Sequence, residues 1–157
     1  MNSEYAVDNL KSMLESNLAS VLVSLQMESS SSIVTPTPGQ YKIGEHDGTI
    51  LTIYPALCIW SPFSRKQLNE QGFQLRRVWL RVLIWVVDND LGNLHRFILR
   101  YSDAVSRIMR IETNWNNGLH NPVVEDANNT DLYKVTNLGY GQGCLVESTI
   151  DYLLGEY

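Results

Sequence analysis

One long strand constrains the fold more than any other part of the chain. The pattern predicts a strand that opens at Phe73 or Gln74 and reaches Val87. Successive side chains of a strand point to opposite faces, so a face that is wholly aliphatic must lie in a core. That face consists of Val78, Leu80, Val82, Ile84 and Val86. The other face begins polar, ends apolar and is expected to be only partly covered; it consists of Arg77, Trp79, Arg81, Leu83, Trp85 and Val87.

Two amphipathic helices are predicted, and each has one apolar stripe to bury. The first spans about 4–27, with apolar residues at steps of three and four: Val7, Leu10, Leu14, Leu18, Val21, Leu22 and Leu25. The second spans about 91–111 and follows the N-cap signal Asp88-Asn89-Asp90. Its stripe consists of Leu94, Ile98, Tyr101, Val105 and Ile108. Four arginines are expected to lie off that stripe: Arg96, Arg100, Arg107 and Arg110.

Three further strands complete the expected fold. Residues 49–60, interrupted by Pro55, are expected to form an antiparallel hairpin with the long strand across a polar connection at 61–72. Residues 132–138 and 144–154 flank a glycine-rich turn. The order is therefore helix, strand, strand, helix, strand, strand. It predicts an α+β fold in which an antiparallel, possibly mixed sheet of about four strands carries two long helices on one face.

The length of 157 residues predicts a single domain over 1–157. Three segments are expected to project from it, one of which is the polar connection at 61–72. Residues 29–48 are rich in Ser, Thr, Pro and Gly and read as an exposed arm or linker, with a turn at Asp47-Gly48. Residues 113–131 form a long polar loop rich in Asn. Projections of this kind on a small core suggest segments that become ordered against neighbouring molecules.

Composition narrows the possible functions. The net charge of −5 disfavours a sequence-independent nucleic-acid binder, which needs dense Lys and Arg. Cys58 and Cys144 lack the spacing of a zinc ribbon and are expected to be buried free thiols. The first residues lack a signal-peptide pattern, and the longest apolar run, 82–87, is far too short for a membrane helix. A soluble intracellular protein is expected.

The sequence offers little that resembles catalytic chemistry. His46, His95 and His120 are scattered without metal-ligand spacing. The triplet Gly139, Gly141 and Gly143 is followed by a strand pattern, so it lacks the helix N-terminus that holds a phosphate. Paired carboxylates at 88 and 90 and at 125 and 126 have no candidate partner base. The expectation is a protein that is not an enzyme and has no cofactor, metal or catalytic residue.

A protein interface is the site that the sequence favours. Tryptophan and arginine are the residues most enriched at binding hot spots. Five of them share the long strand, Trp85 included. The candidate interface set takes four of these and adds two residues of the 113–131 loop: Arg76, Arg77, Trp79, Arg81, Trp115 and His120. The alternative interpretation is that the tryptophans pack beneath the helices while the arginines are simply solvated.

The order of elements resembles the tail terminators of tailed bacteriophages, which are ring proteins of the neck region. The likeness rests on four stretches: the first helix with Val7, Leu10, Leu14 and Leu18; the hairpin ILTIYPALCIW (50–60) with RRVWLRVLIWVVD (76–88); the helix LHRFILRYSDAVSRIMRI (94–111); and the closing strand VESTIDYLLGEY (146–157). The resemblance implies a homohexameric ring that caps the tail tube and joins it to the head connector.

The resemblance also implies the partners. They are copies of the chain itself, the tail tube protein, and head connector or neck proteins, in the virion or in the host cytoplasm during assembly. DNA would pass through the ring without specific binding, and an acidic subunit would repel it. No membrane is involved. The alternatives are another neck protein (a connector, a stopper or a head-completion protein) and a small ligand-binding module or enzyme with a pocket between sheet and helices.

Overall fold

Two long helices and six strands make up the described part of the chain. The computed structural model describes the backbone of residues 3–46, 51–61, 64–68, 74–111, 122–137 and 144–156, and the side chains of 4–46, 51–61 and 78–111. The helices are α1 (Ser3–Glu28) and α2 (Leu91–Met109). The strands are β1 (Gln40–Ile43), β2 (Ala56–Trp60), β3 (Ser64–Leu68), β4 (Gln74–Asp88), β5 (Pro122–Asn137) and β6 (Cys144–Glu156).

All six strands belong to one mixed sheet with β4 at its centre. The order is β1-β2-β4-β6-β5, and β3 pairs with β4 beyond the end of β2. The β1–β2 pair is parallel, and the other pairs are antiparallel. The predicted α+β class, with both helices on one face, is confirmed. The strand count is higher than the expected four because β1 and β3 lie in segments that were assigned to an arm and to a polar connection.

The core lies between the helices and the aliphatic face of β4. All five residues of that face, from Val78 to Val86, are fully buried. The predicted stripes of α1 and α2 pack against them, and of the two stripes only Val21 is half-buried. Burying an aliphatic side chain of this size stabilises a fold by about 1.5–3 kcal/mol. Asp90 caps α2, because its carboxylate accepts a 3.0 Å hydrogen bond from the backbone N–H of Asn93.

The predicted hairpin is present, but one of its arms is divided. β2 pairs with Arg81–Trp85 of β4, whereas β3 pairs with Gln74–Val78, and the register shifts by one residue between them. β2 begins only at Ala56 rather than at 49, because Pro55 cannot donate to a ladder. The predicted turn at 47–48 lies outside the described residues.

The described part of the expected loop at 113–131, from residue 122 onward, is a strand. β5 begins at Pro122, ten residues before the predicted start at 132, and it pairs with β6 as far as Asn137. The pairing register shifts between Asp126 and Asn128 and again between Asn128 and Leu132. These shifts allow the polar stretch to remain paired with β6. Residues 113–121 of the expected loop lie outside the described part of the chain.

Residues 29–38, here called the strap, are docked on the helices, so the expectation of an exposed arm is wrong for them. The buried guanidinium of Arg100 on α2 holds the strap. Its Nη1 donates to Thr35 Oγ1 at 2.9 Å and to the Ile33 carbonyl, and its Nη2 donates to Ser29 Oγ at 3.2 Å. Nη1 also donates to Gln26 Oε1 of α1 at 2.6 Å.

A second anchor follows along the strap. The hydroxyl of Tyr101, which is fully buried, donates to the Pro36 carbonyl. The strap then leads directly into β1, so residues 40–43 of the expected arm are an edge strand of the sheet. Arg100, expected off the apolar stripe of α2, is only 7% exposed. The docking of the strap cannot be predicted from its own polar residues and prolines, because the donors that hold it come from residues about 65 positions away.

We expect Arg100→Met to lower the free energy of unfolding by about 2–3 kcal/mol. The substitution keeps the apolar stem but removes one charged group that serves four acceptors, and hydrogen bonds to charged groups are stronger than neutral ones. Urea denaturation followed by circular dichroism measures the change. The matched control is Arg110→Met at the exposed end of α2, which should stay within about 0.5 kcal/mol of wild type. Equal stability of the two variants would contradict the role of Arg100.

Alkaline pH should destabilise the fold through Tyr41 of β1. Burial, followed by the charge of Glu15, raises the pKa of Tyr41 to about 12 from an ordinary 10.0. The folded state therefore retains a proton that the unfolded state loses, so this contribution is intact below pH 10 and declines up to about pH 12. Tyr41→Phe should make stability fall less steeply between those pH values. Parallel slopes for the two proteins in urea denaturation would contradict this.

Candidate protein-interaction surfaces

The sheet face that points away from the helices, here called the outer face, is unevenly covered. Near the end of β4, Leu83 and Trp85 are buried in a second, smaller cluster with Leu51, Ala56 and Cys58. The Cys58 thiol is free, and burial raises its pKa. The predicted change along this face, from partly exposed to covered, is therefore confirmed for the described side chains. Cys144 lies in β6, and its side chain is outside the described residues.

Earlier along β4 the outer face is more open. Trp79 and Arg81 are half-buried there, and the Arg81 guanidinium lies 5.8 Å from the ring centroid of Trp60 on β2. That distance is within the range of a cation–π interaction, which contributes about 0.5–1 kcal/mol at an exposed site. Arg81 is paired with Trp60 of β2 on one side and with Asp151 of β6 on the other. The alternative interpretation, with tryptophans packed beneath the helices, is wrong for Trp79 and Trp85.

Four basic residues stand on two adjacent cross-strand pairs, here called the basic rungs. Arg65 of β3 lies opposite Arg77 of β4, and Lys66 lies opposite Arg76. Like charges in directly opposite positions destabilise a sheet. On its other side Arg76 faces Glu156, whereas Arg77 faces Gly155. Successive positions of a strand belong to opposite faces, so the Arg65–Arg77 pair belongs to the outer face and the Lys66–Arg76 pair to the face of the helices. On the outer face, Arg77 has Arg65 opposite it on β3 and Gly155 opposite it on β6, so no acidic residue pairs with it there.

The structure brings together only part of the predicted interface set. Arg76, Arg77, Trp79 and Arg81 follow one another along β4. Trp115 and His120 lie outside the described residues. Sequence reasoning missed the partners supplied by the neighbouring strands: Trp60, Arg65 and Lys66. Their contribution depends on strand register, which alternation within a single strand does not reveal.

A cleft of about 330 Å³, the acidic cleft, lies where the start of α1 meets the ends of β1 and β2. Glu4 and Asp8 of α1 stand at this cleft beside the buried Val7. Ile43, which is half exposed, and Trp60 add apolar surface. An apolar lining with two carboxylates suits a basic or apolar side chain of another protein.

A second cleft of about 310 Å³, the arginine cleft, lies between the end of α1 and one side of α2. Three arginines, Arg96, Arg100 and Arg107, contribute to its wall together with Ser29. The other lining residues are Leu25, Glu28, Leu99 and Asp103. Glu28 accepts two hydrogen bonds from Arg107, at 2.8 and 2.6 Å. The hydrogen bonds from Arg107 lower the pKa of Glu28, so this pair remains ionised at neutral pH.

Other kinds of site are not apparent in the described residues. No group of three or more His, Cys, Asp or Glu side chains is placed there to hold a metal ion. Among the helices described, none is long and apolar enough to cross a membrane. His95 is exposed on α2. No protein-family model matches the chain, and no curated protein matches it at a significant level.

Proposed function

We propose that the chain is a structural assembly protein that forms a ring with copies of itself and acts as a tail terminator in the neck of a tailed phage. In this role the ring caps the tail tube and joins it to the head connector, and the chain catalyses no reaction. The observation that carries the proposal is the outer face, where half-buried Trp60, Trp79 and Arg81 lie along the same sheet as the Arg65–Arg77 pair.

The charge distribution favours contact between unlike surfaces of two copies. The whole chain has a net charge of −5, yet four of its 12 basic residues stand on the two basic rungs. The remaining surface is correspondingly acidic, and the acidic cleft is one example. Contact between two different patches is heterologous, and such contacts generate closed rings when the rotation between subunits closes. The Arg65–Arg77 pair of the outer face would therefore meet an acidic surface of the next subunit.

The sheet edges offer a second means of association. β1 and β5 lie at opposite ends of the strand order, and each pairs with a described strand on one side only. An open edge can accept a strand from a neighbour through main-chain hydrogen bonds. Lys42 on β1 and the register shifts of β5 restrict such pairing, because charges and bulges on edge strands discourage indiscriminate addition. A neighbour would therefore need a matching edge.

The specific assignment to a tail terminator depends on the resemblance in element order and on the acidic character of the chain. Like-charge repulsion would keep DNA from adhering to the wall of the channel as it passes. Another neck protein, such as a connector, stopper or head-completion protein, would use the same surfaces with a different neighbour and ring size. A small ligand-binding module is the alternative of another class, and the two clefts are where it would bind.

We expect Arg77→Glu to abolish ring formation while leaving the subunit folded. The change places a carboxylate opposite Arg65, so an unfavourable like-charge pair becomes a favourable one within the sheet. Folding stability should therefore be retained or rise by up to about 1 kcal/mol. Sedimentation velocity and electron microscopy, with and without isolated tail tubes, measure ring formation and capping. Arg81→Glu should also weaken assembly, but it places a carboxylate opposite Asp151 and should cost stability.

The matched control for charge is Arg110→Glu on α2, far along the sequence from the basic rungs, which should assemble normally. A protein that remains monomeric on tail tubes would contradict the proposal. Normal tail length and normal head joining in phage particles that lack this chain would contradict the terminator role. A monomer that binds a metabolite stoichiometrically would favour the ligand-binding alternative.

A further inference from the structure

We propose that the arginine cleft binds a carboxylate group carried on a short apolar stem. The cleft lies on the helix layer, whereas the proposed assembly surface lies on the outer face of the sheet. The inference is therefore independent of ring formation. It depends on three features of the cleft: a buried guanidinium whose partners are neutral, an exposed arginine one turn away, and an apolar wall.

The buried guanidinium belongs to Arg100, which is 7% exposed. All of its hydrogen-bond acceptors are uncharged: the Gln26 amide, the Ile33 carbonyl, and the hydroxyls of Thr35 and Ser29. A buried charge is costly unless an opposite charge accompanies it. The carboxyl end of α1 supplies only about half a negative charge through its helix dipole. An anion in the cleft would complete this compensation.

The cleft as a whole carries an excess of positive charge. Arg96, Arg100, Asp103 and Arg107 follow one another on α2 at steps of four, three and four, so they share one side of the helix. Glu28 already engages Arg107 through two hydrogen bonds. Three arginines against two carboxylates leave one positive charge in excess at neutral pH. Arg96 is exposed and stands one turn from Arg100.

The excess of a single charge favours a carboxylate over a phosphate group. A phosphate monoester carries about −1.5 to −2 charges at pH 7, and the carboxylates of Glu28 and Asp103 would repel the second charge. A guanidinium also matches the planar geometry of a carboxylate. Leu25 and Leu99 supply apolar surface beside the charges, and Leu99 is 42% exposed. A short aliphatic stem would cover that surface.

The test is a titration of the isotopically labelled, intact chain with sodium butanoate at constant ionic strength, followed by NMR of backbone amides and arginine Nε–H groups. We expect saturable shifts at Arg96, Arg100 and Leu99. Arg96→Gln should weaken binding by about tenfold, because it removes one charge-assisted contact and leaves the strap intact. Arg110→Gln on the same helix loses the same charge outside the cleft and should bind like wild type.

Two matched probes separate a carboxylate site from other interactions. Butan-1-ol has the same stem without the charge, and inorganic phosphate has charge without a stem; both should bind at least tenfold more weakly than butanoate. Phosphate binding as tight as butanoate binding would overturn the proposal, as would equal butanoate affinity in wild type and Arg96→Gln. Arg100→Gln is not used as the decisive variant, because it also disturbs the strap.

The source of the carboxylate is distinguished by two blocked tripeptides, one with glutamate and one with glutamine between alanines. Tighter binding of the glutamate peptide than of butanoate supports the proposal with an acidic side chain of a protein partner as its source. Weak and equal binding of both peptides, with butanoate still bound, supports it with a free small carboxylic acid. Absence of binding by both butanoate and the glutamate peptide overturns it.

Discussion

The fold depends on one buried guanidinium. Arg100 reaches from α2 to the last turn of α1 and to three residues of the strap, so it joins α2 to two consecutive segments that lie 65 to 74 positions earlier in the chain. The strap forms no regular element, and its path is completed by the hydrogen bond from Tyr101 to the Pro36 carbonyl and by local hydrogen bonds among Ser29, Ser31 and Ile33. Held in this way, the chain crosses the helices and places β1 beside β2. The only parallel pair of described strands, β1 and β2, is a consequence of that route.

The same arrangement gives the two faces of the sheet different characters. Both helices and the strap are associated with the core side, and the core cluster includes residues from all these elements. The outer face receives only a small cluster at the end of β4, so Trp79 and Arg81 remain partly accessible. A strand can pack in the core through one face and bind a partner through the other face. β4 is suited to both because core residues and outer-face residues alternate along it.

Much of this architecture could be predicted from local sequence patterns. The aliphatic positions of β4, the stripes of both helices and the cap at Asp90 are short-range signals, and the structure confirms them. The strap, β1, β3 and the first half of β5 could not be predicted, because long-range partners determine them. Thr35 is buried only because Arg100 meets it, and Pro122 begins a strand only because β6 runs beside it.

The candidate sites could also be predicted only in part from the sequence. The composition of β4 indicated Trp79 and Arg81, but only the register places Arg65 opposite Arg77. Arg100 had been assigned to the polar side of α2, and the arginine cleft arises from its unexpected burial. A helical stripe predicts which apolar residues are buried, but it does not predict when a long polar side chain finds enough acceptors to be buried with them.

The strap alternates between inward and outward residues, and this pattern has an evolutionary consequence. Thr35 points to Arg100 and is buried, whereas the adjacent Val34 is 74% exposed. Insertion of one residue before Val34 would bring Val34 to the place of Thr35, and deletion of one residue there would bring Pro36 to it, so either change removes the hydroxyl that accepts from the Arg100 guanidinium. Surface connections usually tolerate changes in length, but this one should accept substitutions far more readily than indels. Among related chains, the length of the strap should therefore vary less than its amino-acid composition.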